Sequence, residues 1–174
     1  MRSLFFFFVA ACQREASTAP LGVGRAATEE EIREWQVTVL PDGTGLPAGS
    51  GSVAAGARVF AARCASCHGP RGDGPIRLVG GEGPTHGYRI GRAPPGEKPP
   101  TVVDYYPYAT TLFDYTRRAM PYQEPGSLTD GETYSVVAWL LCESGLLRED
   151  AVLDAESLPR VRMPALAHFA FAPP

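Results

Sequence analysis

Cys64-Ala65-Ser66-Cys67-His68 is the stretch of this sequence that decides the fold. It reads C-x-x-C-H, the spacing at which two cysteine thiols can add to the two vinyl groups of one porphyrin. The histidine that follows the second cysteine is then brought beneath the iron as its proximal ligand. The sequence therefore predicts one covalently attached haem c, held by Cys64, Cys67 and His68.

Three other uses of these side chains fit the sequence less well. A zinc site requires a second pair of ligands at finger-like spacing, and the sequence has no second C-x-x-C. A thioredoxin-like dithiol normally follows a strand in a βαβ pattern, and no such pattern is present. A disulfide across two residues is strained and has no use for His68. We therefore favour haem attachment.

The residues before the motif predict a helix over 52–65. Gly56, Phe60 and Cys64 recur every four residues, so a helix places them on one stripe that faces the porphyrin and the core. The glycine-rich stretch 69–74 lets the chain leave the haem in a tight loop. The combined pattern G-x-x-x-F-x-x-x-C-x-x-C-H-G-x-x-G-x-G resembles that of class I cytochromes c. This resemblance implies their mainly α-helical fold, here with long Gly/Pro-rich loops.

A class I cytochrome also needs a distal iron ligand, normally Met or His. Met120 lies after a helix-like stretch at 109–118 and before the last predicted helix, and the proline that follows it stiffens the backbone. Met163 also precedes a proline, but its place in a Pro-rich tail favours packing or docking. We expect solvated or structural roles for His86 and His168. Met120 is therefore the predicted distal ligand.

The last helix has clear signals at both ends. Thr129 and Glu132 form a capping box, and Gly145 is a natural helix stop. The apolar stripe of this helix should pack across the earlier one, where the small Gly56 permits close approach. The stripe consists of Tyr134, Val137, Ala138 and Leu141, widened by Trp139 and Leu140. Cys142 has no obvious partner here, so we expect a reduced, buried thiol.

The composition excludes several classes of protein. The 174 residues include 19 Gly and 17 Pro, too many for a plain helix bundle. Half of residues 69–100 are Gly or Pro, which predicts an extended loop around the haem edge. The net charge of −3 gives no general attraction for nucleic acid. No apolar run reaches the ~18–20 residues of a transmembrane helix.

The first residues predict export. An arginine, the apolar run 4–9 and the small residues before Cys12 resemble a secretion signal at 1–11 that ends in a bacterial lipobox. Lipidation of Cys12 would anchor the protein to a membrane, with 12–34 as a flexible tether. An ordinary signal peptide or a misplaced start codon are the alternatives. The predicted location is the periplasm or the outer face of the cell membrane.

Further stretches between Trp35 and Pro164 match one family. They are Asp42–Gly51, Tyr106–Tyr115, Arg117–Pro121, Pro125–Leu128, Tyr134, Leu158-Pro159 and Met163-Pro164. Together they resemble the cytochrome c subunits of molybdenum sulfite and sulfane dehydrogenases, the SoxD type of the thiosulfate-oxidising Sox system. Family members usually carry Asn after the last Met-Pro, where Ala165 stands here. Some have a second haem domain, whereas this chain has a single C-x-x-C-H.

The resemblance implies an electron-transfer subunit rather than a catalyst by itself. Such a subunit takes electrons from a molybdopterin-containing dehydrogenase subunit that oxidises sulfite or sulfane sulfur, and passes them to a downstream cytochrome or oxidase. We expect Tyr105, Tyr108, Arg117 and Arg118 near the propionates or the partner. The alternative is a generic soluble or lipid-anchored cytochrome that serves an oxidase or another dehydrogenase. A haem enzyme with an open distal site is disfavoured because Met120 should close that site.

The predicted domain organisation has three parts after the tether. An extended N-terminal arm spans 35–51, the cytochrome c domain spans 52–149, and a C-terminal docking tail spans 150–174. The arm and the tail are rich in Pro, Gly and apolar side chains, with few signs of a core of their own. We therefore expect both to wrap around the molybdenum subunit in a stable complex.

Overall fold

The computed structural model describes residues 22–80 and 100–169, without the side chains of Arg33 and Glu34. Its residues fall into two units, one ending at Trp35 and one that begins at Gln36. The predicted signal segment and Cys12 lie outside the described residues, as does His86. No helix in the described ranges is long and apolar enough to cross a membrane.

In the described part of the first unit, a short helix, α1, spans Glu29–Trp35. Thr28 and Glu31 cap it reciprocally: Thr28 N donates to the Glu31 carboxylate at 2.9 Å, and Glu31 N donates to Thr28 Oγ1 at 3.2 Å. An ion pair with Arg25 lowers the pKa of Glu31 to about 2, together with the Thr28 hydrogen bonds. The last six residues of the tether predicted over 12–34 are therefore helical.

The helix that leads into the C-x-x-C-H motif is α2, over Val53–Arg63. Ser52 caps it, since its Oγ accepts from Ala55 N at 3.2 Å. Its buried residues are Val53, Gly56 and Phe60. Gly56 and Phe60 belong to the predicted stripe, whereas its third member, Cys64, is half-buried at the C-cap. The helix predicted over 52–65 is thus confirmed, with an end two residues earlier. A single turn, α3, follows directly over Ala65–His68.

Helix α6, over Asp130–Glu143, is the longest helix in the described ranges and forms the centre of the core. The predicted capping box between Thr129 and Glu132 is present, and nine consecutive residues from Thr133 to Leu141 are buried. Helix α2 crosses α6 at Gly56, where an added Cβ would lie 1.9 Å from the carbonyl oxygen of Ser135. The predicted close crossing is confirmed, and only glycine fits at that position.

Between these elements, residues 100–129 contain α4 over Val102–Tyr105 and α5 over Ala109–Ala119. Helix α5 packs on α6, with the Phe113 and Tyr134 ring centroids 4.5 Å apart. Asp114 is buried on α5 and accepts hydrogen bonds from Arg118 Nε at 3.0 Å and from Val39 N at 3.2 Å. This carboxylate therefore ties the segment before α2 to the helical core.

The predicted N-terminal arm packs onto this core. Val39 is buried, and the Tyr134 hydroxyl donates to the Pro47 carbonyl at 2.9 Å. A short strand, β1 over Ser50–Ser52, then pairs antiparallel with β2 over Val152–Asp154. In this register Gly51 lies opposite Leu153. The arm and the tail are thus joined to each other in a two-stranded sheet.

The tail after β2 also contributes to the core. It forms two 3₁₀ helices, over Leu158–Arg160 and Pro164–His168. Leu153, Leu158 and Met163 are buried in it. The compact unit therefore extends from Gln36 through the described tail, beyond the boundaries predicted at 52 and 149. The reason is that the apolar side chains of arm and tail fill the domain's own core. The mainly α-helical fold class is confirmed.

Candidate functional site

A mostly apolar cleft lies between α2, α5, α6 and the segments that join them. Counting the part open to solvent, it holds about 920 Å³ of empty space. All four predicted site residues line it, namely Cys64, Cys67, His68 and Met120. The other lining residues are Phe60, Arg63, Ile76, Leu78, Val102, Tyr106, Leu112, Tyr115, Thr116, Pro121, Tyr122, Gln123, Val136 and Leu140.

The turn α3 brings the motif's side chains to this cleft. Cys64 caps the C-terminus of α2. Its carbonyl accepts hydrogen bonds from Cys67 N at 3.2 Å and from His68 N at 3.0 Å. The chain then reverses at Gly69, which has φ +78°. Gly74 N donates back to the His68 carbonyl at 2.8 Å, and an added Cβ at Gly74 would lie 2.7 Å from Gly69 N. The predicted tight loop is present.

This loop also orients the His68 ring. The His68 Nδ1 lies 2.6 Å from the carbonyl oxygen of Ile76. A carbonyl oxygen can only accept a hydrogen bond, so Nδ1 carries the proton and donates it. The lone pair is therefore on Nε2, which leaves that nitrogen available to a metal.

The two motif cysteines are free thiols rather than a disulfide. Burial raises the pKa of the Cys64 thiol to about 11, partly offset by the positive charge of Arg63. A redox-active dithiol needs the opposite, a pKa lowered towards neutrality. Within the described ranges, no three His, Cys, Asp or Glu side chains are grouped to hold a metal ion by themselves.

Met120 is the residue that caps the C-terminus of α5, and it reaches the same cleft as His68. Met163, the other methionine considered, is buried at 4% exposure in the core and does not line the cleft. His168 is exposed at the end of the last 3₁₀ helix. The structure therefore brings Met120 together with the motif and keeps Met163 and His168 away from it.

Comparison with known proteins shows which family has this arrangement of residues. The family described as cytochrome C oxidase, cbb3-type, subunit III matches residues 51–140, just over half of the chain. The chain belongs to the class I cytochrome c family. The cytochrome is also similar to a chain in the crystal structure of the sulfane dehydrogenase SoxCD from Paracoccus pantotrophus. The match has 39% sequence identity and a TM-score of 0.73, and it covers 87% of this cytochrome and 72% of that chain. No curated protein sequence matches the cytochrome.

Family membership implies haem c as the cofactor, and the cleft fits that group. Its walls are mostly apolar side chains, which keep water from a macrocycle. Its donors are two thiols, one imidazole with a fixed tautomer and one thioether. These are the groups that attach and ligate haem iron in c-type cytochromes.

The wall of the cleft contains aromatic side chains that the sequence did not single out. Tyr106 and Tyr115 line it with ring centroids 6.2 Å apart, and burial raises the pKa of Tyr106 to about 12. The predicted candidates Tyr105 and Tyr108 do not line it. The sequence shows several neighbouring tyrosines after α4. Which of them faces the cleft depends on tertiary packing.

The other predicted contacts are used within the cytochrome itself. Arg117 Nε donates to Asp130 at 2.8 Å, and Arg118 is paired with Asp114. Arg117 therefore joins α5 to the start of α6, whereas the pair of Arg118 with Asp114 lies within α5. Cys142 is a free cysteine as predicted, but it is half-buried rather than buried. Burial raises the pKa of its thiol, which keeps it neutral at physiological pH.

Proposed function

We propose that this cytochrome carries electrons from a molybdenum sulfite or sulfane dehydrogenase subunit to a downstream cytochrome or oxidase. The support is its 39% identity to a chain of the sulfane dehydrogenase SoxCD over most of its own length. Oxidation of the sulfur compound then occurs in the molybdopterin-containing partner. The cytochrome is the electron-transfer subunit of the complex and not a catalyst by itself.

The observation that carries the electron-transfer part of this proposal is that one apolar cleft is lined by Cys64, Cys67, His68 and Met120. In the proposal, Cys64 and Cys67 bind one haem c through thioether bonds, and His68 Nε2 and the Met120 sulfur ligate the iron. When bound, the haem supplies one-electron oxidation and reduction. The apolar walls exclude water, and the Ile76 carbonyl holds the imidazole in the ligating tautomer.

The partner surface in this proposal is the outer side of the arm and the tail. Their inner sides are buried in the cytochrome's core, but Leu40, Val152 and Phe169 remain exposed by 45%, 53% and 47%. Exposed apolar side chains are typical of protein interfaces where they form a contiguous patch. We therefore keep the prediction of a stable complex with the molybdenum subunit. In this complex a folded surface of the cytochrome contacts the partner, rather than arms that wrap around it.

The proposed location is the periplasm or the outer face of the cell membrane. The support is the resemblance of residues 1–11 to a secretion signal. Lipidation of Cys12 stays a prediction, since that residue lies outside the described part of the chain.

A second candidate is a generic electron carrier for an oxidase. The family model that matches residues 51–140 bears the description of a cbb3-type cytochrome c oxidase subunit, which favours this alternative. The two candidates share the same cleft and ligands. They differ in the protein that reduces the cytochrome.

Reduction by the molybdenum subunit tests the proposed function. The purified oxidised cytochrome is mixed anaerobically with the molybdenum dehydrogenase of the same organism, and haem reduction is followed by stopped-flow absorbance. We expect sulfite or a sulfane-sulfur substrate to reduce the haem only when the dehydrogenase is present, and we expect the two proteins to copurify.

The control is the same mixture with dehydrogenase that lacks its molybdenum cofactor, which should give no reduction. If the active dehydrogenase neither binds nor reduces the cytochrome, whereas an unrelated membrane dehydrogenase reduces it rapidly, the generic carrier is the correct function.

A further inference from the structure

The segment that presents Met120, residues 120–129 between α5 and α6, has few anchors of its own. Pro121 and Leu128 are buried near its two ends, but residues 122–127 are all exposed. Within it, Glu124 N donates to the Pro121 carbonyl at 2.9 Å and Ser127 N donates to the Glu124 carbonyl at 3.2 Å. These two turns shape the segment without fixing it to the rest of the domain. We call it the ligand loop.

One side chain connects the exposed middle of the ligand loop to the haem-attachment motif. Arg63 is the last residue of α2 and directly precedes Cys64. Its Nη2 donates to Glu124 Oε2 at 2.8 Å and to Ser127 Oγ at 2.6 Å. Arg63 also lines the cleft, as Met120 does. The guanidinium therefore spans the rim of the cleft, from the motif on one side to the ligand loop on the other.

Two further charged interactions lie near Arg63 and the ligand loop. The capping carboxylate of Glu132, at the start of α6, has its pKa lowered mainly by the Thr129 hydrogen bonds and in part by the charge of Arg63. The ion pair between Arg117 and Asp130 fastens the base of the ligand loop, joining α5 to α6 at 2.8 Å. With its base held there, the contact with Arg63 restrains the exposed middle of the loop.

We propose that Arg63 is a positioning residue that holds the ligand loop closed and so keeps Met120 opposite His68. The inference rests on the proposed function, because it takes Met120 as the distal ligand. The Arg63 and Glu124 side chains are 36% and 67% exposed, so solvent screens their attraction. Loss of this ion pair is therefore expected to open the loop more often rather than to unfold the domain.

The test uses the full-length ferric holoprotein and imidazole as a competing ligand. Imidazole binds only when Met120 leaves the iron, so its apparent affinity reports how often the loop opens. Arg63→Gln is expected to raise that affinity about fivefold, the size of effect that loss of a screened ion pair and one hydrogen bond produces. The Met-to-iron charge-transfer band should persist without imidazole.

Matched variants separate this role from a change in surface charge. Arg71→Gln removes the same charge and breaks an exposed pair with Glu143 at 3.5 Å, away from the ligand loop, so imidazole affinity should stay unchanged. Glu124→Ala should reproduce the effect of Arg63→Gln, and the double variant should add little to it. Ser127→Ala, which keeps all charges, should give a smaller increase.

Unchanged imidazole affinity in both Arg63→Gln and Glu124→Ala would show that Arg63 is an ordinary surface ion pair, and would overturn the proposal. Failure of the ligand assignment looks different. In that case Met120→Ala keeps the charge-transfer band, and the role of Arg63 is rejected together with the ligand.

Discussion

Replacing Met120 with alanine is expected to abolish the Met-to-iron charge-transfer band of the ferric cytochrome and to lower its reduction potential. Met120 lines the cleft together with His68, and a thioether ligand favours ferrous iron. Axial ligands set haem potentials over roughly 0.8 V, so the decrease should be a substantial part of that range. Near-infrared absorbance and a redox titration measure the two effects.

Met163→Ala is the matched control, because it removes the other methionine that precedes a proline. Met163 is buried away from the cleft, so the band and the potential should remain as in the parent protein. Its loss should instead lower the free energy of unfolding by about 2–5 kcal/mol, the usual cost of such a core truncation. If Met163→Ala removes the band and Met120→Ala keeps it, the distal ligand lies in the tail.

Removing the tail after Glu149 is expected to leave no stably folded cytochrome. The deletion removes β2 and the buried side chains of Leu153, Leu158 and Met163. Each such side chain contributes about 2–5 kcal/mol, and the whole stability of a domain is about 5–15 kcal/mol. Circular dichroism and thermal unfolding of the truncated holoprotein measure the loss.

A pair of point variants gives a graded form of the same test. Leu158→Ala should lower the free energy of unfolding by about 2–5 kcal/mol, because the side chain is fully buried. Leu166→Ala, at an exposed position in the same tail, should change it by less than about 1 kcal/mol. A truncated protein with the parent's melting temperature would mean that the tail is a docking extension after all, as the sequence had predicted.

The parts of the fold that the sequence predicts correctly are those set by local signals. The Thr129–Glu132 capping box marks the start of α6, because a cap depends on residues only three positions apart. The contact at Gly56 was also predictable, since one glycine in a helical stripe next to the haem motif indicates a close crossing. The cytochrome fold itself was implied by the resemblance of the pattern around Cys64–His68 to class I cytochromes c.

The parts of the fold that the sequence does not reveal depend on contacts between distant residues. The pairing of Gly51 with Leu153 joins segments about a hundred residues apart, and nothing in either short strand indicates its partner. Their Pro and Gly content predicted extended arms, whereas burial of Val39 and Leu158 places them in the core. The choice of Tyr106 for the cleft wall is similarly set by packing.

The predicted site is local for three of its members and distant for the fourth. Cys64, Cys67 and His68 lie within one turn, so their common direction follows from the motif. Met120 comes to the same cleft only because α5 packs on α6 and ends at the cleft. The bridge from Arg63 to Glu124 could not be predicted, since an arginine at a helix end has many acidic residues within reach.

Carbon monoxide binding to the reduced, full-length cytochrome tests most directly whether this is an electron carrier with a closed iron. If Met120 occupies the sixth position, the folded protein should bind carbon monoxide only weakly, and Met120→Ala should bind it rapidly and stoichiometrically. Absorbance changes on titration with carbon monoxide measure both proteins under the same conditions. Rapid, stoichiometric binding by the parent protein would contradict the account and indicate a haem site open to a substrate or a gas.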